Sequence, residues 1–137
     1  MILIHAVLAL ILAAGTMTQE PKFPDLSGFT KSSTEHEMVV LERPFVIRSV
    51  RGTIGFQNHP GEPLPDVLFE MIGPGNAKEI RHGTSDGDGK FKIAHVPQGS
   101  YRFKATRSGF SSVVGIVVVS KKAEEAAKVH IDMPIGN

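Results

Sequence analysis

Residues 90–105, KFKIAHVPQGSYRFKA, carry the clearest β-strand pattern in the chain. Polar and apolar residues alternate on both sides of a short connection at residues 96–99, which carries Pro97 and Gly99. Alternation of period two around a short connection predicts an antiparallel hairpin with one face buried. We expect the inward residues to be Phe91, Ile93, Tyr101, Phe103 and Ala105, and the outward residues to be Lys90, Lys92, Arg102 and Lys104.

Short β-rich segments separated by turn-forming residues fill the rest of the chain from residue 38 onward. The further strand candidates are residues 38–41, 45–56, 66–72, 77–84, 113–119 and 129–133. Turns are expected at residues 58–63, 73–76 and 85–89, which are dense in Gly, Pro, Asn and Asp. About seven strands and no convincing long helix predict an all-β protein, a seven-stranded antiparallel Greek-key β-sandwich.

Composition excludes several classes of function. The 137 residues are 41% hydrophobic and 21% charged, which is ordinary for one globular domain. A net charge of +1 gives no global field for nucleic acid. The absence of cysteine excludes disulfides, thiol catalysis and cysteine-ligated zinc.

The N-terminus predicts export. Residues 1–15 have the apolar run and small residues of a signal peptide, with cleavage between about residues 15 and 19. The alternative is a buried first helix. Residues 16–44 then indicate an extended arm, which is either a disordered tether or docks through Phe23, Leu26 and Phe29, and residues 45–137 form the domain. With no later transmembrane segment, we expect a periplasmic or secreted protein.

Several short motifs occur in a characteristic order along the domain. They are RGTI at 51–54, GEPLPDV at 61–67, TSDGDGKF at 84–91, VPQGSY at 96–101 and SGF at 108–110. Together they resemble the carboxypeptidase regulatory-like domain over about residues 50–134. The resemblance implies a prealbumin-like, transthyretin-related sandwich of seven strands, attached to enzymes, receptors or surface proteins and without catalytic residues of its own.

Five residues have roles that would specify this fold. Gly89 ends a tight turn directly before the strand that begins the buried face at Phe91. Pro97 stiffens the next connection, and Gly99 lets the backbone turn so that Tyr101 returns to the core. We expect the Tyr101 hydroxyl to find a backbone partner.

The sequence offers no strong catalytic, cofactor or metal site. Asp86 and Asp88 resemble part of a calcium loop, but Thr84 and His95 stand where carboxylates are needed, so a plain Asx turn is favoured. The six histidines lie on separate segments without ligand spacing. The chain lacks the C-terminal signature of transthyretin-like hydrolases and has no Gly-x-Ser-x-Gly elbow.

The main functional hypothesis is a non-catalytic envelope module that binds a protein or a polysaccharide. Its candidate contact surface is the cation set Lys90, Lys92, Arg102 and Lys104, although such charges commonly only keep a strand face solvated. The alternatives are a carbohydrate-binding module of starch-binding-like fold and, less favoured, a small hydrolase. We expect no cofactor and no nucleic-acid partner.

Overall fold

The computed structural model describes residues 26–30 and 38–136, and its regular elements are ten short strands. No helix occurs among these residues. The strands are β1 (Met38–Val40), β2 (Phe45–Ile47), β3 (Val50–Phe56), β4 (His59–Pro63), β5 (Leu68–Ile72), β6 (Ile80–Thr84), β7 (Lys90–Ile93), β8 (Gly99–Thr106), β9 (Ser112–Val119) and β10 (Val129–Met133). The prediction of an all-β protein is therefore confirmed for this part of the chain.

Six strands form the larger sheet. Its order is β1-β9-β8-β5-β6, and β2 joins the same edge of β9 further along that strand. The pairings of β9 with β1 and β2 are parallel, whereas β8 pairs antiparallel with both β5 and β9. Residues 38–40 of the arm thus belong to this sheet, which begins before residue 45.

Four strands form the smaller sheet around β3. Strand β10 runs parallel to β3 on one side. On the other side β7 pairs with residues 50–53 and β4 with residues 55 and 56, both antiparallel. The strand number and the parallel pairs differ from the predicted seven-stranded antiparallel arrangement.

The two sheets pack face to face through an aromatic stack. The ring of Phe69 on β5 stacks on Phe91 of β7, with centroids 4.4 Å apart, and on Phe103 of β8 at 5.1 Å. Tyr101, Phe103 and Ala105 are buried as predicted, and Ile93 is partly buried. The predicted inward set is therefore correct in direction, because period-two alternation fixes which side chains leave the solvent.

The predicted hairpin between residues 90–93 and 101–105 is wrong. Strand β7 pairs with β3, whereas β8 lies in the other sheet between β5 and β9. The connection at residues 94–98 therefore crosses from one sheet to the other. Alternation shows that each strand buries one face, but it does not identify the neighbouring strand.

Two further assignments change. Residues 45–56 form two strands, β2 and β3, instead of one. Residues 59–63, predicted as a turn, form β4, whose residues are all exposed. A strand that buries no face carries no alternation, so its turn-forming residues hide it from a sequence pattern.

Backbone geometry explains the glycines flanking β7 and β8. Gly89 has a φ of 74°, and a Cβ there would lie 2.5 Å from the carbonyl oxygen of Ile54. Gly99 has a φ of 150° and packs against Pro74. The Tyr101 hydroxyl donates to the Pro97 carbonyl oxygen at 2.6 Å, and burial raises the pKa of Tyr101. These contacts hold the connection between the sheets.

Residues 26–30 pack on the outer face of the six-stranded sheet. Gly28 lies against Ile72, and the Phe29 ring lies beneath the Arg102 guanidinium at 5.4 Å. Thr30 donates from its backbone N and from Oγ1 to the Glu70 carboxylate, the latter at 2.7 Å. This part of the arm is thus docked. The predicted signal peptide and Phe23 lie outside the described residues.

Candidate anion-binding face

A row of three cations crosses the outer face of the four-stranded sheet. Arg51 of β3 stands directly opposite Lys92 of β7. On the other side of β3, Gly52 is opposite Val129, so Lys128 reaches the position beside Arg51. Because the inner neighbours Phe91, Gly52 and Val129 are buried, alternation directs the three cationic side chains outward.

A groove of about 510 Å³ follows this row. Its lining residues are Arg51, Gly52, Thr53, Thr84, Asp86, Lys90, Phe91, Lys92 and Lys128. We call the outward residues Arg51, Lys90, Lys92 and Lys128 the basic face. The groove therefore holds four cations and one carboxylate, that of Asp86.

The cations of the row have few partners within the described residues. The Arg51 guanidinium donates to the Glu125 carbonyl oxygen at 3.3 Å. Across residues 26–30 and 38–136, the side chains of Lys92 and Lys128 form no hydrogen bond or ion pair. Like charges placed directly opposite on neighbouring strands disfavour folding. An anion seated across the row would remove that repulsion.

Asp86 is already committed to the turn before β7. Its Oδ1 accepts the backbone N–H groups of Lys90 and Asp88, each at 2.9 Å. The hydrogen bond from Lys90 is the main reason why the pKa of Asp86 lies below its usual value, with the Lys90 charge adding to it. Asp86 therefore stays ionised at neutral pH. The geometry is that of an Asx turn, the alternative favoured over a calcium loop.

A chain of polar side chains borders the basic face. Thr53 Oγ1 lies 2.7 Å from His130 Nδ1, and His130 Nε2 lies 3.0 Å from Asp132 Oδ1. Thr53 is also directly opposite Lys90 across the β3–β7 pair. The side chains of His130 and Asp132 are 55% and 48% exposed. The three side chains form a hydroxyl–imidazole–carboxylate chain beside the groove.

The four cations predicted to share one face are divided between two. Lys90 and Lys92 lie on the basic face, whereas Arg102 and Lys104 lie on the opposite side of the molecule, because β7 and β8 belong to different sheets. Lys104 is only 7% exposed, contrary to its predicted outward, solvated position. Whether any of these residues binds a partner stays a prediction.

Arg102 and Lys104 contact the docked part of the arm. The Lys104 ammonium donates to the Thr30 carbonyl oxygen at 3.3 Å, and Arg102 covers Phe29. Across β8 and β5, Lys104 stands opposite Glu70, which is 3% exposed. These cations therefore hold the chain's own segment and contribute nothing to the basic face.

Sequence reasoning missed Arg51, Lys128, Thr53 and His130. The alternation of VRGTIGF at 50–56 and of KVHIDM at 128–133 shows that these residues point away from the core. It does not show that the two segments are neighbours. That proximity depends on the parallel β3–β10 pair, which joins residues more than 70 positions apart, such as Thr53 and His130.

No family model matches the chain, and no curated protein is significantly similar to it. Within the described residues, no group of three or more His, Asp or Glu side chains is placed to hold a metal ion. Residues 26–30 and 38–136 also include no helix of the length and apolarity that crossing a bilayer requires.

Proposed function

We propose that this protein is an exported, non-catalytic binding module that holds an acidic polysaccharide of the cell envelope on its basic face. The row Lys92–Arg51–Lys128 carries the proposal, because these three neighbouring cations have one internal hydrogen bond among the described residues and form a surface complementary to a repeating anion. Neighbouring strands are about 4.8 Å apart, so the row presents its charges at short, regular intervals. Arg51 adds a planar fork suited to carboxylate and sulfate groups.

The proposal includes membership of the carboxypeptidase regulatory-like family, with its Greek-key connectivity. Two features support it beside the motifs. The TSDGDGKF segment forms the Asp86 turn that enters β7. The VPQGSY segment joins the two sheets and is closed by the bond from Tyr101 to Pro97. Export is supported by the apolar N-terminal run and the small residues that follow it.

The surface favours a charged sugar polymer over a neutral sugar or a nucleic acid. Neutral sugars and unpaired bases are held largely by stacking on exposed aromatic rings. The chain has no Trp, and its one Tyr, Tyr101, is 1% exposed. Phe91 lines the groove but its ring is buried on Phe69. Recognition at the basic face therefore depends on charge.

The direct test is binding to dextran sulfate and to polygalacturonate at low salt, measured by calorimetry with the full chain. We expect saturable binding that weakens steeply with added salt. The double variant Lys92→Glu/Lys128→Glu should lose about 100-fold in affinity. The matched control is Arg43→Glu/Lys78→Glu, which changes net charge equally at exposed positions outside the groove and should bind nearly as the wild type does.

Two outcomes would overturn the proposal. Equal losses in both double variants would show that only net charge matters and that the basic face is not a site. Hydrolysis of a soluble ester that disappears in Thr53→Val would show that the hydroxyl–imidazole–carboxylate chain is catalytic. Poly-glutamate and single-stranded DNA serve as further probes, and tighter binding of either would change the partner class.

A further inference from the structure

We infer that Thr53 and His130 form a proton-gated anion subsite that extends the basic face, so that the protein holds acidic polysaccharides more tightly as pH falls. This inference rests on the proposed function and concerns regulation of the same site. Thr53 lines the basic groove and also a second groove of about 380 Å³ that contains His130 and Asp132. Thr53 therefore lines both grooves and lies at the boundary between them.

When His130 is neutral, hydrogen-bond chemistry fixes which atom donates and which accepts in the hydroxyl–imidazole–carboxylate chain. The ionised Asp132 carboxylate can only accept, so His130 Nε2 carries the proton and donates to it. His130 Nδ1 is then an acceptor, and the Thr53 hydroxyl donates to it at 2.7 Å. In this state the Thr53 proton is used internally and is not offered to a ligand.

Protonation of His130 reverses the second hydrogen bond. Both ring nitrogens of an imidazolium are donors, so Nδ1–H now donates to Thr53 Oγ1. The hydroxyl proton must rotate away and can donate to an anion in the groove. Lys90, directly opposite Thr53, would contact the same anionic group. One proton thus adds a positive charge and releases one hydrogen-bond donor.

The surrounding charges decide the size of this effect. The positive groups on the strands near His130 are Arg51 of β3, Lys90 and Lys92 of β7, and Lys128 beside β10. The negative groups are Asp132 of β10, Glu62 of β4, and Asp86 and Asp88 of the turn before β7. With neutral His130, Asp132 repels an anion at this end of the groove, and the imidazolium cancels that charge. Affinity for an anion should therefore rise as pH falls and the ring becomes protonated.

The experiment measures binding of dextran sulfate at about pH 7.5 and about pH 5.5, a range in which sulfate esters keep their charge and histidine changes its own. Wild type should bind on the order of fivefold more tightly at the lower pH. His130→Gln should show no such gain between the two pH values. Thr53→Val removes the hydroxyl donor, so this variant should keep only the part of the affinity gain that comes from the positive charge on His130. His82→Gln, at an exposed position on the other sheet, is the control and should keep the whole gain.

A second readout follows from linkage. Because the ligand prefers protonated His130, saturating dextran sulfate should raise the pKa of this ring in an NMR titration, and the rings of His82 and His95 should shift much less. An unchanged His130 pKa in the complex would overturn the inference. So would a full pH gain in His130→Gln.

Failure of the inference is distinguishable from failure of the proposed function. Salt-sensitive binding that needs Lys92 and Lys128 but ignores His130 leaves the proposed function intact and removes the proton gate. No binding by the wild type at either pH removes both.

Discussion

The cations of β7 and those of β8 lie on opposite outer faces of the molecule, and the β7 pair is the more exposed of the two. Lys90 and Lys92 are exposed along a groove, whereas Lys104 is 7% exposed beneath the arm. Each pair stands beside a buried aromatic residue on its own strand, Phe91 or Phe103. The inner faces of the two strands are thus alike, and the difference lies in what covers the outer face.

This difference separates two roles for the same residue type. Lys104 has its ammonium on the Thr30 carbonyl oxygen and stands opposite the buried Glu70, so its charge serves the fold. Lys92 has Arg51 as its cross-strand neighbour, so its charge opposes the fold and is available to a ligand. Substitution of Lys104 should therefore change stability, whereas substitution of Lys92 should change ligand binding.

The largest expected effect is a difference in stability between two variants, each of which reverses one lysine charge on one of the two faces. Lys104→Glu would place a second carboxylate opposite Glu70 in a buried position and should lower the free energy of unfolding by about 3 kcal/mol. Lys92→Glu removes a like-charge contact in solvent and should change it by less than about 0.5 kcal/mol. Urea denaturation of both variants measures the contrast. Similar losses would show that the two faces are not different.

Removing the acceptor beneath the arm should have the next largest effect. Glu70→Ala leaves the Thr30 backbone N–H and hydroxyl without their acceptor, and should lower the free energy of unfolding by about 2 kcal/mol. The control is Glu79→Ala, whose ion pair with Arg81 is on an exposed side chain and should contribute about 0.5 kcal/mol or less. Limited proteolysis should also cut the arm of Glu70→Ala faster. An arm equally resistant in both variants would contradict the docking.

A smaller loss is expected from one hydroxyl of the arm. Thr30→Val keeps the shape of the side chain and removes the 2.7 Å bond from Oγ1 to Glu70, which should cost about 1 kcal/mol. Thr84→Val, at an exposed threonine of β6 that makes no contact with residues 26–30 of the arm, should change stability by only a few tenths of a kcal/mol by comparison. Equal effects of the two changes would mean that the Thr30 hydroxyl does not hold the arm.

The sequence predicts which side of β7 and of β8 is buried, because that depends on residues close together in the chain. Alternation in residues 90–93 and 101–105 identifies Phe91, Tyr101 and Phe103 as core and assigns the cations to the other side. It cannot show that the chain changes sheet between β7 and β8. The turn residues of that connection suit a hairpin equally well, because the choice depends on how β3, β5 and β9 compete as partners.

The remaining features depend on contacts between distant parts of the chain. Lys104 is covered by Thr30, which is 74 positions away, and the alternation around Lys104 contains no sign of that cover. The basic face depends on β10 lying parallel to β3, which brings Lys128 beside Arg51. Parallel partners are joined by long connections and leave no turn signal between them.

The smallest effect expected is a salt-dependent gain in stability from removing one cation of the row. Lys92→Thr should raise the free energy of unfolding by about 0.3 kcal/mol at low salt through relief of the repulsion with Arg51, and this part should vanish in about 1 M salt. Threonine also favours strands more than lysine does, but that contribution does not depend on salt. Lys90→Thr provides the matched comparison, because Lys90 acts favourably on the Asp86 carboxylate. Its salt-dependent part should therefore have the opposite sign. The same sign in both variants would mean that the repulsion in the basic face is spread over the whole surface and is not concentrated in the row Lys92–Arg51–Lys128.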